Sequence, residues 1–210
     1  MTTFVLVAIL GTLLVIVLMQ LFKKPASSAA PAQPDLANLS VTEARRGDVI
    51  SVSGAGDAMT DLDFTADRLT RFDGGSRRWF ELSGPYRERR VALRVAGDED
   101  LEVSIHNDPR KLSLEDLGLS EEDLAEMDER QNTADSFEFD GKVWLYRLSR
   151  EVKSWRDDQP QAEGFYYWEF QTQDDKALLA IRKVAGEPFA ASIYAGIAAA
   201  DVTIYRGKSL

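Results

Sequence analysis

Residues 79–106 read WFELSGPYRERRVALRVAGDEDLEVSIH, and residues 167–194 read YWEFQTQDDKALLAIRKVAGEPFAASIY. Laid over one another at an offset of 88 residues, without a gap, they share 6 identities in 28 positions: Glu81, Ala92, Arg94, Glu99, Ser104 and Ile105 fall on Glu169, Ala180, Arg182, Glu187, Ser192 and Ile193. Chance gives about two at ordinary residue frequencies. Both stretches are short apolar runs cut by turn residues, the pattern of strands rather than helices. The overlay reads as two copies of a small β-meander; the alternative is a coincidental match of similar strand patterns. A lone meander cannot bury its apolar face, so two copies are expected to pack as a pseudo-symmetric sandwich or a pair of small barrels.

The same style extends outward. Val49–Val52, Leu62–Phe72 and Leu101–Ile105 are strand runs stopped by Gly, Asp, Asn or Pro. Phe137-Glu138-Phe139 and Val143–Tyr146 flank Asp140-Gly141, a hairpin signal. Phe165–Phe170, Leu178–Arg182, Phe189–Ile193 and Val202–Tyr205 follow. The expected class is mainly β, with related halves at about 47–108 and 136–206. Between them, within 112–131, Leu114, Leu117, Leu124 and Met127 have helical spacing. Ser120 with Asp123 resembles a capping box, with Glu121 and Glu122 in the first turn. This inserted acidic helix packs one face on the core, or serves as a docking surface.

The N-terminus is of another kind. Phe4 to Phe22 reads FVLVAILGTLLVIVLMQLF, a run without a single charge. A helix of that length spans about 28 Å, close to the hydrocarbon thickness of a bilayer. A transmembrane anchor is expected at 1–24, followed by a Pro/Ala/Ser linker at 25–38 and a domain at 39–210. A signal peptide is the rival reading, but Met1-Thr2-Thr3 lacks a basic side chain and Lys23-Lys24 follows the apolar run. Those lysines predict a single-pass inner-membrane protein, N-terminus outside and domain in the cytoplasm.

The chain carries net charge −10 over 210 residues, with no cysteine and one histidine. Removing residues 1–24 leaves 23 basic and 35 acidic residues, so the domain stands at −12. That balance disfavours a nucleic-acid partner. The missing cysteines exclude disulfides and thiolate chemistry, and one histidine excludes a multi-histidine metal cage within the chain. His106 beside Asp108 sits at a strand end without a nucleophile motif. Asp61/Asp63 has only a fragment of a calcium loop's spacing, without the loop glycine and closing glutamate, and Asp98–Asp100 and Glu121–Asp123 have none of it. Gly54-Ala55-Gly56 lacks the lysine and helix of a phosphate loop. Arg46-Gly47-Asp48 reads as a turn. No catalytic, cofactor or metal residues are therefore assigned.

Two features remain. Arg77, Arg78, Arg87, Arg89, Arg90 and Arg94 crowd one short stretch, a patch for a partner or membrane, or a set paired with acids on neighbouring strands. Of the 20 aromatics, 10 lie between Phe137 and Phe170, and Trp144, Trp155 and Trp168 could line a ligand groove or form a core.

Val41-Thr42-Glu43-Ala44 leading to Gly47-Asp48-Val49, Trp79–Leu82, Phe139–Lys142 with Leu145-Tyr146, and Phe165–Phe170 followed by Gly196 together resemble a bacterial domain-of-unknown-function family. The resemblance covers about residues 39–205. Members often stand beside genes for polyamine synthesis and phage-shock-like membrane proteins. It implies a context of envelope maintenance or stress and no catalytic residues. The expected function is a non-enzymatic, membrane-anchored scaffold binding a protein partner. The alternative is a small-molecule or lipid-head-group sensor at Trp144–Trp168.

Overall fold

The computed structural model describes residues 39–97, 100–157 and 159–207. The expected span Phe4–Phe22 and its linker lie outside the described residues. No helix among the described residues is long and apolar enough to cross a membrane.

Each repeat contributes four antiparallel strands in sequence order. The first set is β3 (Arg68–Asp73), β4 (Arg78–Tyr86), β5 (Arg89–Ala96) and β6 (Glu102–His106). The second is β8 (Lys142–Arg156), β9 (Glu163–Thr172), β10 (Ala177–Lys183) and β11 (Ala190–Ile197). The expected pair of barrels or sandwich is replaced by one closed eight-stranded barrel, ordered β3-β4-β5-β6-β11-β10-β9-β8 and closed from β8 back to β3. Matching strands meet at both seams: Ile105 faces Ala195 where β6 joins β11, and Thr70 faces Arg156 where β3 joins β8. The physical reason is edge satisfaction. A four-stranded meander leaves two edges with unpaired amides, and joining both edges of one to both edges of the other leaves none.

The side-chain period of two then sorts the repeat residues. Phe72, Trp79, Ala96, Val152, Phe165, Tyr167, Leu178, Ala180 and Tyr194 fill the lumen. Leu82, Val91, Leu93, Val95, Val103 and Ile105 face outward from the first half. They are covered by a second sheet ordered β12-β1-β2, built from β1 (Val49–Val52), β2 (Leu62–Thr65) and β12 (Val202–Tyr205). Its Ile50, Val52, Leu62, Phe64, Val202 and Ile204 complete that core. These strands therefore lie outside the two meanders in which the 47–108 and 136–206 boundaries placed them.

The outer face of the second half is covered by α1 (Glu121–Arg130) and the segment before it: Leu114, Leu117, Leu124 and Met127 pack on Trp144, Trp168, Phe170, Leu179 and Ile181. The helix is shorter than the expected helical segment 112–131. Gly118, at φ +69°, takes the left-handed conformation that ends the preceding turn, and Ser120 restarts the chain with a reciprocal capping box to Asp123. Strand β8 is longer than its Val143–Tyr146 signal. A bulge at Tyr146/Leu148 reverses its alternation, so its first part pairs with β7 (Ser136–Phe139) and its last part with β3.

Candidate functional site

The lumen is not a purely apolar core. Arg94 on β5 donates from Nη2 to Glu169 on β9 at 2.9 Å, with both side chains about 2% exposed. Arg182 on β10 pairs with Glu81 on β4, and Tyr194 donates its hydroxyl to the same carboxylate at 2.9 Å. Tyr167 donates to Glu169 at 2.9 Å. Burial works against the Arg94 charge, yet Tyr167, Glu169, Tyr194 and Glu81 together hold its pKa above the ordinary arginine value. Burial raises Tyr167 and Tyr194 above the usual phenol range, and the adjoining carboxylates add to the effect. Four of the six repeat identities (Glu81/Glu169, Arg94/Arg182, Ala92/Ala180 and Ser104/Ser192) stand at lumen-facing positions by the strand period.

At one end this network reaches solvent. Arg77, just before β4, pairs with Glu102 and lies 3.5 Å from Glu169. A cleft of about 600 Å³ opens there, lined by Gly75, Ser76, Arg77, Arg78, Glu102 and Arg150 among others. It sits where the seam loosens, because the β3–β8 ladder stops at Asp73 opposite Lys153. Arg150, further back along β8, bridges the gap: its Nη1 donates to Gly74 O at 2.9 Å and Ser76 Oγ at 2.8 Å. Gly74 is required for this crossing, since a Cβ there would stand 2.8 Å from Arg150 Cδ. Beside it, Arg94, Glu102, Ser104, Gln171 and Asp175 line a smaller cavity of about 80 Å³.

Five buried side-chain polar atoms lack a partner among the described residues: Trp79 Nε1, Arg94 Nε, Ser104 Oγ, Arg150 Nε and Arg182 Nε. All belong to the lumen or this rim, and four are N–H groups that can only donate. Around the mouth, Arg78 meets Asp73, Arg77 meets Glu102 and Arg94 meets Glu169. Arg150 makes no ion pair with a carboxylate among the described residues.

The six arginines singled out from the sequence do not form one patch. Arg77, Arg78 and Arg94 belong to the mouth and lumen. Arg87 and Arg89 both pair with Asp57, whose carboxyl is held below the usual range by the Arg89 hydrogen bond and the two nearby guanidiniums, against a smaller opposing effect of burial. Arg90 pairs with Asp67. Nor do the tryptophans share a groove. Trp144 and Trp168 are buried, and Trp168 Nε1 donates to Leu124 O at 3.2 Å, under α1. Of these three, Trp155 alone lines surface clefts, one of about 790 Å³ and one of about 460 Å³ that it shares with Trp79. His106 is tied to Ile193 O at 2.8 Å by Nδ1 and packs against Tyr194. Among the described residues no group of three or more His, Cys, Asp or Glu is arranged to hold a metal.

Sequence reasoning misses Glu81, Glu169 and Arg182 as site residues, although the repeat overlay marks them. Arg150, Ser76 and Gly74 carry no local signal at all. The chain matches no family model, no curated protein and no solved structure.

Proposed function

We propose that the domain is a non-enzymatic interaction module of a single-pass inner-membrane protein, held on the cytoplasmic side by Phe4–Phe22. Its protein partner engages the barrel end built around the β3–β4 turn, in the service of envelope maintenance. One observation carries this reading. Asp73–Arg78 borders all three of the larger clefts at that end, with Trp155 as an aromatic wall between two of them. The lumen behind is filled by side chains, which leaves recognition to the rim and surface. An arginine-and-tryptophan surface of this kind is what protein interfaces use as anchors.

The test is site-specific photo-crosslinking in cells from full-length protein. A photoreactive residue in place of Trp155 is expected to give one discrete adduct that Arg78→Glu abolishes. The same residue in place of Met59, which is 87% exposed beside the far β4–β5 turn, is expected to give none. Equal adducts from both positions, or none from Trp155, would sink the reading. A reporter fused after Leu210 is expected to read cytoplasmic, and a periplasmic readout overturns the orientation.

A further inference from the structure

We infer that the barrel mouth binds a phosphate-type oxyanion, held between Arg150 and Arg77 with the Ser76 hydroxyl as third donor. The inference rests on the reading that this end of the barrel is the working surface, and it names what that surface takes.

Three observations point to an anion. Arg150 is fixed across the turn by two hydrogen bonds, over a glycine that leaves room for its stem, and makes no ion pair with a carboxylate among the described residues, although Glu102 lines the same cleft. A guanidinium so placed is a preorganised fork for a tetrahedral oxyanion. Ser76 Oγ accepts from Arg150 and keeps its own O–H to give. Of the unpartnered buried polar atoms, Arg150 Nε belongs to a residue lining the cleft, and it can only donate. What that N–H lacks is an acceptor, and a buried donor left unmatched is costly. The cleft of about 600 Å³ admits more than one phosphate group.

Free phosphate esters and lipid phosphates share this chemistry, and both are available beside a membrane. The experiment therefore has two arms on full-length protein in detergent or nanodiscs. Calorimetric titration with inorganic pyrophosphate reads the free anion. Flotation with vesicles of phosphatidic acid in phosphatidylcholine, against phosphatidylcholine alone, reads the lipid. One saturable site in at least one arm is expected. Arg150→Gln should weaken it by about ten- to a hundredfold, as expected for a lost charge-assisted bond. Arg90→Gln, at the other end of β5 and paired with Asp67, should leave it unchanged. If Arg150→Gln does not fold, Arg150→Lys keeps the charge, loses the fork, and is expected to weaken binding about tenfold. Silence in both arms, or binding indifferent to Arg150, overturns the inference. Pyrophosphate binding without a Trp155 adduct overturns the partner reading alone; a Trp155 adduct without anion binding overturns this one alone.

Discussion

Arg94 gives its guanidinium to Glu169, 75 residues away, while Arg182 gives its own to Glu81, 101 residues away. Under the repeat overlay the first pair becomes the second: Arg94 falls on Arg182 and Glu169 on Glu81. Each meander therefore lends its arginine to the glutamate of the other. Desolvating such pairs costs about what their attraction returns, so they are weak as a source of stability. Their effect is on pairing. A meander set in another register would part Arg94 from Glu169 and Arg182 from Glu81, although within the first meander Glu81 itself stands opposite Arg94.

Removing one partner should reveal that cost. Arg94→Met leaves the Glu169 carboxylate buried with only Tyr167 and the more distant Arg77 as compensation. We expect a loss of about 3–5 kcal/mol in urea unfolding, with Arg94→Met/Glu169→Leu recovering much of it. Arg90→Ala, at an exposed pair, should cost under about 1 kcal/mol. If Arg94→Met costs no more than Arg90→Ala, the lumen pair is not buried in solution.

The domain should fail in alkali for a definable reason. The Tyr166 hydroxyl is pushed up to about 12, first by burial and then by its bond to Asp128. Tyr146, Tyr167 and Tyr194 are raised too, burial leading in each. An unfolded tyrosine ionises near pH 10. From about pH 10 to about 12 the unfolded chain sheds protons that the folded one keeps. Stability is therefore complete below that window and falls as pH rises through it. Tyr166→Phe should flatten the decline in urea midpoint across the window. An unchanged slope would mean that the hydroxyl titrates as it does in water.

Gly84 is a point of very close approach between the barrel and the sheet that covers it. A Cβ there would lie 2.1 Å from Thr65 O and 2.8 Å from Phe64. Backbone cannot swing aside as a side-chain tip can, so Gly84→Ala must push β2 off β4. We expect about 1–3 kcal/mol of destabilisation, typical of overpacking, with amide exchange accelerated first in β1 and β2. Ordinary stability with unchanged exchange would contradict this packing.

How much of this is legible depends on the range over which the information is stored. The period of two and the turn residues in 79–106 and 167–194 are local, and they mark the strands and lumen-facing Glu81 and Arg94. Which meander edge meets which is not local: nothing in Val103–Ile105 names Ala195–Ile197 as its neighbour. The β12-β1-β2 sheet pairs Val49 with Tyr205, from opposite ends of the domain, and is invisible for the same reason. Strand β8 reads short because the Tyr146/Leu148 bulge swaps its faces and breaks the alternation on which the reading relies. Arg150 looks like any exposed arginine, because its meaning comes from Gly74 and Ser76, which stand on the other side of the seam in the first meander.

The two glycines of the β3–β4 turn separate the structure of the mouth from its chemistry. Gly74 has no need of left-handed backbone, and a Cβ there meets Arg150 Cδ at 2.8 Å, with Arg77 O and Val152 Cγ2 at ordinary contact distance. Gly74→Ala is expected to displace the Arg150 side chain and little else, keeping the urea midpoint near that of the parent while pyrophosphate binding weakens about tenfold. Gly75 has φ +82° and open space around its missing Cβ. Gly75→Ala should cost about 1–2 kcal/mol in backbone strain, with Arg150 and the anion site left in place. Calorimetry and urea unfolding on the two variants give opposite patterns if Arg150 is held by Gly74 and used by the ligand. Binding lost in Gly75→Ala and kept in Gly74→Ala would show that the turn backbone, and not the guanidinium, does the recognition.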